Sequence, residues 1–196
     1  MWHILVKGGW MMLPLAICSL VSVTIIIERF LFFGRIRGAH RAEEVLTLVH
    51  KRRVDEALAV SEEAPLPVMR VLRTGLTHSP EPSGAMESAG VSELSFMRRG
   101  LPALDTIITL SPLLGLLGTI IGMMNSFNVM AMSGLGQPHA ITGGVAEALV
   151  CTAAGITVAV ITLIPYNYFL ARIEREAEAI EAYATRLELA LSASKR

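Results

Sequence analysis

Hydrophobic and polar positions alternate on a large scale: long apolar stretches are separated by mixed, charge-rich sequence. Between Lys7 and Glu28 the chain carries no charge, and past the Glu28 and Arg29 pair it stays apolar to Phe33. That run is long enough to cross about 30 Å of hydrocarbon as one helix. It exceeds the core of a usual cleavable leader, and no A-x-A pattern follows it, so it reads as a permanent anchor. From Thr106 to Ala146 there is again no Asp, Glu, Lys or Arg. A single helix of that length would run about 60 Å, twice the hydrocarbon thickness, so the chain is expected to turn within it. The cluster SGLGQP at 133–138 supplies the turn formers. The predicted order is a short N-terminal segment at 1–9, a span at 10–33, a helical loop at 34–101, a span at 102–132, a turn at 133–138, a span at 139–170 and a C-terminal helix at 171–196.

Within the loop, residues 39–59 mix Val45, Leu46, Leu48, Val49 and Val54 with charge, which predicts an amphipathic helix. Pro65, Pro67, Pro80 and Pro82 then punctuate the chain, and 87–99 predicts a helix leading into the second span. In the tail, Ile173, Ala177, Ile180, Ala184, Leu187 and Leu191 step by four and three alternately, the spacing of a bundle seam. The third span is therefore expected to continue beyond the membrane. Basic residues from Arg35 to Arg99 crowd the loop, and more follow from Arg172 to Arg196, while the turn at 133–138 has none. This asymmetry places loop and tail in the cytoplasm and the N-terminus and turn on the outer, periplasmic side.

Composition fits an all-α membrane protein with three transmembrane helices and long cytoplasmic extensions. The 196 residues are 53% hydrophobic and 17% charged, with a mean hydropathy of +0.54. Seventeen basic residues balance seventeen acidic ones, so no global field attracts nucleic acid. Lipid is the expected surrounding. No lysine sits in a G-x-x-x-x-G-K-[ST] loop, and the five histidines show no H-E-x-x-H spacing. No metal, no cofactor and no enzymatic reaction is expected. Cys18 and Cys151 lie in apolar runs and read as small packing residues.

Glu147 is the one acidic or basic residue well inside the second and third spans, about 14 Å past Pro138 and so near mid-membrane. An ionised carboxylate there costs roughly 2.5 to 3.5 kcal/mol on insertion scales, so it should face a bundle interior or a wet cavity. Proton uptake and release is the reading preferred over a neutral, hydrogen-bonded structural carboxyl. On the second span Ser111, Gly115, Thr119, Gly122 and Ser126 recur at spacings of four and three, on one stripe. The stripe is either a close helix contact, with Gly118 and Gly122 as a G-x-x-x-G pair, or the wall of a water path with Thr119 as a relay. Gly144, Cys151, Ala154 and Gly155 lie near the face of Glu147, whereas Thr152 is about 140° away on an ideal helix. Asp105 reads as structural at the cytoplasmic end of the second span. Glu28 and Arg29 are expected to pair or snorkel, and Pro112 and Pro165 to kink their helices.

The stretch LSPLLGLLGTIIGMMN at 110–125, then GGVAEALVCTAAGITVAV at 143–160 and IPYNYF at 164–169, closely resembles the MotA/TolQ/ExbB proton-channel family. The resemblance covers the second and third spans. Chain length is more similar to the ExbB and TolQ branches than to MotA, which generally has a fourth span. The resemblance implies a homopentamer in a bacterial inner membrane, its second and third spans lining a central pore that holds a dimer of single-span ExbD- or TolR-like partners. Glu147 matches the family's pore carboxylate in A-E-A-L, Thr119 the threonine of L-G-T, and Thr152 the threonine that follows Cys151, where alanine is usual. Ser111, Gly115, Gly122, Ser126 and Cys151 are then expected to line the pore or pack beside it. The implied function is conversion of proton motive force into mechanical work, energising TonB-dependent outer-membrane transport through a TonB-like protein. Alternatives are envelope maintenance through a TolA-like protein, a gliding motor, a passive channel or transporter, and an assembly scaffold.

Overall fold

The computed structural model describes residues 10–36, 40–64, 66–78, 81–133 and 138–194. The expected N-terminal segment at 1–9 and the turn formers at 134–137 lie outside the described residues. All regular structure among them is helical: α1 (Met12–Arg35), α2 (His40–His50), α3 (Val54–Glu63), α4 (Pro67–Thr77), α5 (Pro82–Met97), α6 (Leu101–Ser133) and α7 (Pro138–Ser194). Three helical stretches are long and apolar enough to cross a membrane: Met12–Gly34, Pro82–Met132 and Thr142–Ala193. The chain divides into two compact units, Met1–Glu28 with Gly100–Asn167, and Arg29–Arg99 with Tyr168–Arg196.

In the first unit the usual distribution of a water-soluble domain is inverted. Leu13, Ile17 and Leu20 of α1, Leu113, Leu116 and Phe127 of α6, and Leu149, Ile156 and Ile161 of α7 are exposed, while Ser22, Ser111, Ser126 and Thr162 are buried. That is the distribution expected where the surroundings are as apolar as leucine and association rests on close contact between small residues. Most of the buried hydroxyls are satisfied by their own helix: Ser22 Oγ donates to Ser19 O at 2.9 Å and Thr162 Oγ1 to Val158 O at 2.7 Å. Both α6 and α7 run through their internal prolines, Pro112 and Pro165, without ending.

The second unit is built like a soluble bundle. Helix α4 buries Val68, Met69, Val71, Leu72 and Leu76, and on α7 Ile173, Ile180 and Leu187 are buried at the expected seam positions. Arg186 grips Glu43 with both guanidinium nitrogens, at 2.6 and 2.8 Å, and Arg73 pairs with Glu62 at 2.7 Å. These pairs are about half exposed, so solvent screening leaves each a minor contribution to stability.

Two expectations are corrected here. The single helix expected over 39–59 is two helices. Arg52 adopts φ 58°, Arg53 N–H donates to Leu48 O and Arg52 N–H to Val49 O, both at 3.0 Å, which is a Schellman ending made with arginine in the place usually held by glycine. A left-handed non-glycine residue costs roughly 1 kcal/mol. Arg52→Gly is therefore expected to stabilise this unit by up to about 1 kcal/mol, visible as a higher midpoint of thermal unfolding in detergent. The second concerns Arg29: of the two alternatives expected for it, pairing or snorkelling, burial excludes snorkelling. It is 2% exposed, its guanidinium stands 4.9 Å over the Phe32 ring, and Nη1 donates to Phe96 O and Met97 O at 3.4 Å. Those carbonyls end α5, where a cation is favoured by both hydrogen bonding and the helix dipole.

Candidate functional site

The site lies in the first unit, where α6 and α7 pack antiparallel along small residues. A Cβ built on Gly155 would overlap Ser111 O and stand 3.1 Å from Gly115 Cα. One on Gly115 would stand 3.0 Å from Thr152 Cα, one on Gly118 would overlap Cys151 Sγ, and one on Gly122 would stand 2.9 Å from Ala148 Cβ. At the far end Gly144 lies against Ser126, whose Oγ donates to Gly122 O at 2.9 Å. Ser111, Gly115, Gly122, Ser126 and Cys151 thus all sit in the contact between the two helices within one chain. The Ser111 hydroxyl is fully buried and has no hydrogen-bond partner among the described residues.

Thr119, placed by spacing on the same stripe, stands at the margin of this seam. Thr152 Oγ1 lies 3.0 Å from Gly115 O and 3.3 Å from Thr119 Oγ1, and can donate to either. Thr119 Oγ1 in turn donates to Leu116 O at 2.6 Å. The two threonines therefore form a hydroxyl pair across α6 and α7, and Thr152 faces α6 rather than Glu147, as its angle on the helix requires.

Glu147 is not part of that pair. It is half-buried and lines a cavity of about 170 Å³ together with Trp10, Met11, Gly118, Gly122 and Asn125. Among the described residues that line this cavity none is basic. The small residues lining the cavity beside the carboxyl are Gly118, Gly122 and Ala148; Cys151 and Gly155, expected near its face, are not among them and pack against Gly118 and Ser111. Asn125 is the residue that spacing did not single out; it is uncharged and lines the same cavity as Glu147 because the two helices pack in this register.

Residues 63–182 match the family model described as the MotA/TolQ/ExbB proton channel family. The chain belongs to this family. It is 36% identical over 190 residues to the ExbB-like 3 protein of Synechocystis sp., an alignment covering 93% of this chain and 90% of that protein. It is 29% identical over 178 residues to the biopolymer transport protein ExbB of Salmonella typhimurium, covering 83% and 72%. To the Tol-Pal system protein TolQ of Pseudomonas aeruginosa it is 40% identical over 90 residues, covering 46% and 39%. As a member of the MotA/TolQ/ExbB family the chain is a membrane protein of a proton-channel type, with the family match spanning most of α6 and α7.

Proposed function

We propose that the chain is the proton-channel subunit of a motor in a bacterial inner membrane, working as a homopentamer around a dimer of single-span ExbD- or TolR-like partners. The loop and tail face the cytoplasm, and the turn at 133–138 faces the periplasm. Glu147 takes up and releases the proton, and Thr119 and Thr152 are hydroxyl stations of the path. The observation that carries this reading is a carboxyl, the one titratable side chain among the described residues lining a cavity between membrane-spanning helices, in a chain of this family. In its ionised form a carboxyl there, with no basic side chain among the described residues lining the cavity, is costly, which favours a group that binds a proton and gives it up in use. With few other oxygen ligands nearby, it suits a proton better than a metal cation. Each charge descending 100 mV releases about 2.3 kcal/mol, so several protons supply useful work without nucleotide hydrolysis.

An ExbB-like role, energising outer-membrane transport through a TonB-like protein, is favoured over a TolQ-like one acting through a TolA-like protein. The ExbB-like alignment runs the length of both chains, while the TolQ alignment spans less than half of this one. The test is reconstitution of the chain with its co-purified partner into proteoliposomes in sodium-free buffer. Acidification of the lumen on imposing an inward-directed potential is the expected result. Flow only in the presence of sodium, or uptake of a solute by the chain alone, overturns the proposal.

A further inference from the structure

Neither Thr119 nor Thr152 is among the residues lining the cavity beside Glu147, so the hydroxyl stations belong to another stretch of the path and the cavity is the candidate for the water next to the carboxyl. About 170 Å³ is room for several waters, and a water there needs polar partners. Asn125 and Glu147 provide them: the carboxamide offers two N–H donors and a carbonyl acceptor, the carboxyl two oxygens. Position supports the same view. Asn125 lies eight residues before the end of α6, and Glu147 nine residues after the start of α7, so both are about 12 to 14 Å from those helix ends. Met11, at the start of α1, sits against Gly118, and Trp10, 82% exposed, lines the same cavity.

We infer that this cavity is the hydrated access route to Glu147 from the outer side, and that Asn125 is the positioning residue that holds its water. The inference rests on the proposed role of Glu147. In the step it describes, a protonated water in the cavity gives its proton to a Glu147 carboxylate oxygen and is left as neutral water; release runs the same transfer in reverse. Asn125 does not itself gain or lose a proton. It fixes the water between the carboxamide and the carboxyl.

The test is hydrogen–deuterium exchange of the Glu147 carboxyl in the reconstituted complex, followed by its infrared C=O band, which is assigned by its loss in Glu147→Gln. Asn125→Leu keeps the branched heavy-atom skeleton, with bulkier methyl groups, and removes the polar partner; it is expected to slow exchange about tenfold, while Asn125→Ser stays near the native rate. Native exchange in Asn125→Leu overturns the inference while leaving the role of Glu147 intact. Full proton-driven work in Glu147→Gln removes both. Should Asn125→Leu fail to assemble, Asn125→Cys in a chain with Cys18→Ala and Cys151→Ala reports the cavity directly. Labelling by a charged, water-soluble thiol reagent added on the outer side is expected, and protection from it overturns the inference.

Discussion

Glu147→Gln is expected to abolish proton flow through the reconstituted complex, by a factor on the order of a hundred or more, while the complex assembles normally. The substitution keeps the shape of the side chain and its capacity for hydrogen bonds, and removes only the ability to titrate. Assembly should survive because the carboxyl contributes nothing to the α6 and α7 seam, which is made by Gly115, Gly118 and Gly122 against Thr152, Cys151 and Ala148. The carboxyl instead faces a cavity in which none of the described residues is basic, so no ion pair is lost. A thermal midpoint within about 2 °C of native would fit that account. Glu147→Asp, which retains titration but withdraws the group by one methylene, should fall between the two. Normal flow in Glu147→Gln would leave the carboxyl as a structural group and remove the motor reading, since the described lining of the cavity holds no second titratable side chain to take its place.

The all-helical class and the three apolar spans are legible in the sequence because an uncharged run as long as 106–146 has no place in water. Family membership is legible because its motifs occur in order along two helices. What escapes the sequence is set by contacts between distant residues. The break at Lys51 to Arg53 carries no glycine or proline, and only the two hydrogen bonds of the Schellman ending reveal it. The position of Arg29 at the end of the first span leaves pairing and snorkelling open, and its carbonyl partners lie 67 and 68 residues away. The stripe on α6 leaves close contact and water path undecided by spacing alone. In the structure Ser111, Gly115, Gly122 and Ser126 make close contact with α7, and Gly122 also borders the cavity beside Glu147. Glu147 announces itself by its charge, whereas Asn125 has no such mark and depends on the register in which α6 meets α7.

That register is itself open to test, and Gly155→Ala is expected to destroy it. A methyl group on Gly155 would overlap Ser111 O and stand 3.1 Å from Gly115 Cα and 3.3 Å from Gly115 N. All three are backbone atoms, so no side chain can rotate out of the way, and the two helices must separate. Separation would stretch the Thr152 to Gly115 O hydrogen bond, now 3.0 Å, and open the contacts of Gly118 and Gly122 along the same seam. Overpacking of this kind costs at least about 1 to 3 kcal/mol where neighbours can adjust, and here they cannot adjust independently. Loss of the assembled complex in mild detergent, or a large fall in its unfolding midpoint, is the expected outcome. Gly143→Ala is the matched control: on the same helix, with nothing within 4 Å of the added Cβ, it should be neutral or stabilise by up to about 1 kcal/mol through helix propensity. If Gly155→Ala behaves like Gly143→Ala, α6 and α7 do not meet along Ser111, Gly115 and Gly155, and the placement of Asn125 beside Glu147 falls with that contact.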